Sequence, residues 1–247
     1  MNGAALSVEQ WRALLAGSPT SKAAAFGDAA RSGDQLAALH FGQCLLDGHG
    51  IPADPKAAFG WFARAAGAGL APAMNMVGRC LDQGWGVDQD WALAAQWFAA
   101  AAERGEVWGL YNYATALALG RGVEQDRAAA LGRFRRAAAM PASGLAGAKS
   151  QNMIGSFFED GWTVPANLHV AAYHYTRAAK GGDFRGCFNH ARMELTHGRL
   201  EMAHHWLGEA ARLSHERFRQ QMVNWLAQRS EPILRALAGR LTDLVAV

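Results

Sequence analysis

The chain has 247 residues, 51% hydrophobic and 10% aromatic, a content that excludes a disordered polymer. Its formal net charge of +3 is small and scattered, which argues against a nucleic-acid surface. Three cysteines do not suggest a disulfide framework, and no apolar stretch approaches the roughly 20 residues that cross a bilayer.

In chain order, Ser7 and Gln10 have the spacing of a capping box that opens a first helix. Met1 to Leu15 lacks a basic start, and Glu9 and Arg12 interrupt its apolar residues, so it does not read as a signal peptide. A cytoplasmic location is the expectation. Phe26 and Ala29-Ala30 lie 36 residues before Phe62 and Ala65-Ala66, so residues 1–33 read as a degenerate first repeat.

Residues 34–139 hold three regular repeats. Gly48-His49-Gly50-Ile51 returns 36 residues later as Gly84-Trp85-Gly86-Val87 and again as Gly120-Arg121-Gly122-Val123. The same step relates Asp54, Asp90 and Asp126, and also Phe62, Phe98 and Phe134. Self-similarity of this length means stacked supersecondary units, none of which buries its apolar face alone. Abundant alanine and leucine, with few strand-forming runs, make each unit a pair of helices, A then B. The second repeat predicts helix A over Ala71 to Gln83 and helix B over Trp91 to Arg104. Between them, Gly84 and Gly86 supply backbone angles that other residues resist. Val87 returns to the core and Asp90 caps helix B. Gly78 and Ala94 let the helices approach, and Trp97 and Phe98 fill the space between units. Cys44 and Cys80 share one helix-A position and read as buried thiols.

These residues resemble the Sel1-like repeat, a relative of the tetratricopeptide repeat. Val77-Gly78, Leu81, Gly84-Trp85-Gly86-Val87, Asp90, Ala94, Trp97-Phe98 and Ala101-Ala102 carry the pattern, with tandem matches over Leu36 to Ala139. The resemblance implies an all-α, right-handed solenoid of stacked helix-turn-helix units whose A helices line the concave side.

Residues 140–213 read as two divergent repeats. An insertion of five residues within Met140 to Leu145 displaces the fourth, after which Gly155, Gly161, Asn167, Ala171 and Tyr175 fall into place. Thr163 stands where the second turn glycine belongs, so this turn must differ. The fifth repeat, from Phe184, loses the glycine turn at Thr196-His197-Gly198. Residues 214–247, with stripes at Phe218, Met222, Trp225 and at Ile233, Leu237, Leu241, read as two helices covering the last repeat. The whole chain, 1–247, is read as a single solenoid domain.

The candidate chemistry is sparse. His197, His204, His205 and His215 crowd one repeat, but no metal-ligand spacing is present, and His174 stands at a packing position. Arg133, Arg135 and Arg136 read as a solvated face. Trp85 and Trp162 occupy the variable place in the glycine turn, where at least one is expected to be exposed.

A stripe on the A helices is more informative, because it varies where core positions repeat. It comprises His40 and Gln43; Met76 and Arg79; Trp108 and Asn112; Lys149 and Met153; and Arg185, Asn189 and Arg192. The expected function is a non-enzymatic adaptor or scaffold that binds a partner protein or peptide on this stripe. Arginine and asparagine would make the polar contacts, and Trp108 and Met76 the apolar ones. An acidic segment or a chain terminus suits the arginines. No cofactor, nucleic acid or membrane is expected. The alternatives are an enzyme or metal-dependent protein using the fifth-repeat histidines, and a regulatory subunit binding through its convex face or terminal helices.

Overall fold

The computed structural model describes residues 7–9, 12 and 16–245, with side chains through residue 239. Gln10, one half of the expected capping box, and the side chain of Leu241 fall outside this set. Between Pro19 and Val245 every regular element is an α-helix. The chain divides into two compact units, Met1–Asp126 and Arg127–Val247.

The first unit contains α1 (Pro19–Arg31), α2 (Gln35–Asp47), α3 (Pro55–Gly67), α4 (Ala71–Gln83), α5 (Trp91–Glu103) and α6 (Val107–Leu119). Each helix packs on the next, and the A helices α4 and α6 also touch directly. The starts of these helices are chemically marked. Asp34, Asp54 and Asp90 accept the backbone N–H groups of Ala37, Ala57 and Leu93, each at 2.9 Å. These bonds satisfy amides that a helix N-terminus otherwise leaves free.

The A-to-B turn follows from two glycines with different tasks. Gly84 ends α4 in the left-handed region, at φ 73°, and its N–H bonds the Cys80 carbonyl. Gly86, at φ 70°, lies against the preceding B helix, so that an added Cβ would stand 2.1 Å from the Pro55 carbonyl oxygen. The Asp90 N–H then returns to the Leu81 carbonyl at 3.0 Å and closes the turn. Asp54 and Asp126 make the same return to Leu45 and Leu117.

Packing within a repeat follows a knob-in-notch rule. Gly42 and Gly78 on the A helices receive the rings of Phe62 and Phe98 from the B helices, and a Cβ at either glycine would lie 2.6–2.7 Å from the ring. One core runs through the unit, including Phe26, Phe41, Phe62, Val77, Leu81 and Phe98. Cys44 and Cys80 belong to it as free, buried thiols, and burial pushes the Cys80 thiol up to about 11.

The second unit contains α7 (Arg127–Ala139), α8 (Gly144–Asp160), α9 (Leu168–Lys180), α10 (Phe184–Thr196), α11 (Leu200–Leu213), α12 (Glu216–Ala227) and α13 (Pro232–Val245). The five-residue insertion is absorbed locally. Helix α8 has 17 residues where the regular A helices have 13, and a turn through Ala142 at φ 53° precedes it. Gly155 receives Tyr175 as Gly78 receives Phe98. Thr163 does not adopt positive φ, so the fourth turn takes another path between Gly161 and the Asn167 cap. The α10–α11 turn keeps one left-handed glycine, Gly198. Helices α12 and α13 join the core of α10 and α11 through Met222, Leu226, Leu234 and Leu237. Among the described residues no helix is long and apolar enough to cross a membrane.

Candidate functional site: the face of the A helices

In the first unit the variable stripe is partly committed to structure. His40 stacks on Phe26 with ring centroids 5.1 Å apart, and burial holds its pKa below the usual imidazole value. Gln43 donates to Asp47 at 2.6 Å. Met76, expected to be an apolar anchor, is only 7% exposed and belongs to the core. Its sulfur lies 3.5 Å from Arg79 Nη1, and the Arg79 guanidinium sits 5.0 Å above the Trp85 ring. Trp108 is 36% exposed and meets Tyr111 edge-on. Asn112 Nδ2 donates across the repeat to Asn75 Oδ1 at 2.8 Å.

The second unit repeats this last contact. Asn189 Nδ2 donates to Asn152 Oδ1 at 2.9 Å, again 37 residues away. Asn75 and Asn152 are both buried, so each pair ties consecutive A helices together by satisfying a buried acceptor from a half-buried donor. From Asn189 the network continues. Arg192 donates to Asn189 Oδ1 at 3.1 Å and to Glu159 Oε1 at 2.8 Å. The Tyr175 hydroxyl donates to Glu159 Oε2 at 2.5 Å, and burial raises its pKa. Arg192, expected to face a partner, is thus a brace between α8 and α10.

Arg185 is different. It is exposed, and its guanidinium lies 4.6 Å over Phe184 and 5.9 Å over Phe218. Lys149 Nζ lies 5.9 Å from the Phe184 ring, and Met153 is half-buried on the same helix as Lys149. Asp183 is buried beneath as the cap of α10; desolvation raises its pKa, while Lys149 and Arg185 pull it down. A cavity of about 690 Å³ opens at the other end of α10. Glu159, Leu168, Arg192, Met193, Trp225 and Arg229 line it.

The histidines do not converge. His174 packs at its expected place, stacked on Phe158 with Nδ1 2.6 Å from Gln151 Oε1. His190 is buried between Thr176 and Glu194. His197 Nδ1 contacts the Met193 carbonyl at 2.7 Å, and His215 caps α12 through the Phe218 N–H. Among the described residues no three His, Cys, Asp or Glu side chains are grouped to hold a metal. Of the turn tryptophans, Trp162 is 39% exposed, and Arg127 covers one ring face at 5.1 Å.

Asn75, Asn152, Glu159 and Arg229 escaped the sequence reading. The asparagine pairs carry a readable signal, a separation one residue longer than the repeat. The Arg229 position carries none, since the terminal helices follow no repeat pattern.

This geometry defines a class: helix pairs in tandem, each notched by a small residue and joined through its A helices. The chain belongs to the Sel1 repeat family, whose model matches residues 35–70, 71–106, 109–141, 148–183 and 200–215. It is similar to a Sel1 repeat protein from Oxalobacter formigenes, with a TM-score of 0.79 and 26% identity over 97% of this chain and 99% of that one. It shares the fold of c5321, a protective antigen of uropathogenic Escherichia coli, at a TM-score of 0.67 and 21% identity, covering 92% of this chain and 49% of that one. The immunity protein Pa5087 from Pseudomonas aeruginosa has the same type of fold, at a TM-score of 0.56 and 14% identity, over 82% of this chain and 80% of that one. No curated protein matches the chain. The Sel1 repeat fold is commonly a protein-interaction scaffold.

Proposed function

We propose that this chain is a non-enzymatic interaction module that holds a segment of a partner protein on the face of its A helices. The observation that carries the reading is Arg185, an exposed guanidinium over the Phe184 and Phe218 rings that forms no ion pair among the described residues, the nearby Asp183 carboxylate being buried as the cap of α10. Stacking orients the group while leaving its donor edge to solvent, an arrangement suited to a carboxylate arriving in a fixed direction. Lys149 adds charge on the same cluster. An acidic segment or a chain terminus is the complementary partner. Met76 and Arg192 leave the list of direct contacts, because one is core and the other a brace.

The test begins with the protein that co-purifies from the native host. Its affinity should fall at least about tenfold on Arg185→Glu, a loss of about 1.4 kcal/mol or more. Wild-type binding should also weaken with salt, because exposed charges are screened. Arg185→Ala, which adds no negative charge near the buried Asp183, should weaken binding in the same direction, and thermal melts of both variants separate lost binding from lost folding. Equal affinity for wild type and Arg185→Glu would remove the site from this face.

A further inference from the structure

The cavity at the end of α10 has features that the helix-A stripe does not explain. Its size falls within the range of small-ligand pockets. Leu168, Ala172, Met193 and Leu195 supply an apolar surface, and the Trp225 indole adds an aromatic one. The carboxylates around it already accept hydrogen bonds. Glu159 has both carboxylate oxygens engaged, by Arg192 and by Tyr175. Glu231 accepts the Ser230 hydroxyl. His169 and His197 stand exposed among the lining residues.

Arg229 stands apart. Its guanidinium lies 3.9 Å over the Trp225 ring, and that group forms no hydrogen bond or ion pair within the described residues. Its Nε is buried and unpartnered. The terminal Nη atoms are not buried, so they keep an edge on which an incoming carboxylate can form charge-assisted hydrogen bonds. The indole fixes the plane of the guanidinium, and Phe188 packs edge-on against the indole at 5.0 Å. The fork is therefore pre-oriented beside apolar surface.

We propose that this cavity receives the C-terminal residue of a partner protein, its carboxylate on Arg229 and a large apolar side chain against Leu168, Met193 and Trp225. A chain terminus fits better than an internal acidic residue, because the apolar lining needs a side chain that an aspartate or glutamate lacks. A terminal residue brings carboxylate and apolar group on one carbon. The inference rests on the reading of the chain as a protein-binding module, but it uses residues separate from Arg185.

The experiment uses an N-acetylated pentapeptide ending in leucine, its C-terminal amide, and N-acetyl-leucine as a free small acid. Binding is read from the Trp225 indole N–H resonance of the full chain, assigned with Trp225→Phe. The free-acid peptide should shift this resonance, with the amide at least about tenfold weaker and Arg229→Gln weakened to a similar degree. Thermal melts of Arg229→Gln and of Arg229→Lys, which keeps the charge, separate lost binding from lost folding. Equal binding of acid and amide, or no shift with any peptide, would overturn the proposal. N-acetyl-leucine binding as tightly as the pentapeptide would also overturn it, by making the site one for small acids. A partner that still binds Arg229→Gln but not Arg185→Glu would sink this inference while leaving the proposed function intact.

Discussion

Two glycines in one turn ask for different things at the residue scale. Gly84 and Gly86 both have positive φ, but only Gly86 has a carbonyl, that of Pro55, in the space of a Cβ. Gly84→Ala should cost about 1 kcal/mol, the strain of a left-handed alanine. Gly86→Ala should cost more than about 2 kcal/mol, because backbone must move as well. Urea midpoints measured side by side would check this, and equal midpoints would remove the steric part. A second residue-scale effect concerns pH. Burial lowers the pKa values of His40, His174 and His190; at His190, Glu194 opposes the shift without reversing it. A lowered folded-state pKa means that the unfolded chain binds the proton more readily. These histidines therefore contribute stability that is fully present above the unfolded value, about 6.5, and is lost as pH falls through their lowered values. Urea midpoints should drop between about pH 7 and about pH 5, and His174→Gln with His190→Gln should flatten that slope.

At the scale of the element, Gly78 shows how packing overrides propensity. Alanine is favoured over glycine in a helix by about 1 kcal/mol. In α4, however, a Cβ at Gly78 would stand 2.7 Å from the buried Phe98 ring. Gly78→Ala should destabilise by about 1–3 kcal/mol, overpacking outweighing propensity. Gly60, exposed in the middle of α3 with open space around it, gives the opposite case. Gly60→Ala should stabilise by about 0.5–1 kcal/mol. Opposite signs at two helical glycines would be visible in a single set of thermal melts. The helices themselves were legible because their signals are local and repeated. Asp54 and Asp90 cap where their spacing says, and the bounds Ala71–Gln83 match the predicted helix A. The insertion after Met140 was visible as a displaced register. Its conversion into an extra turn of α8 was not, because that depends on what the turn packs against.

For the molecule as a whole, the face that varies between repeats was legible, but its chemistry was legible only in part. Arg185 and Arg192 look alike on a helical wheel. One is exposed over two rings, while the other is tied to Glu159, 33 residues away. Trp108 and Met76 look like equal apolar anchors, and only Trp108 reaches solvent. Contacts between repeats decide such cases, and a one-dimensional pattern does not record them. The repeat architecture, by contrast, follows from the spacing alone and is matched by the Sel1 family over most of the chain. The face of the A helices is proposed to bind a protein. Hydrogen exchange of the complex with the co-purifying partner tests it most directly. New protection should appear in α8 and α10, centred on Lys149 and Arg185, with α11 unchanged. Protection confined to α9 and α11, or no change in α10, would contradict it.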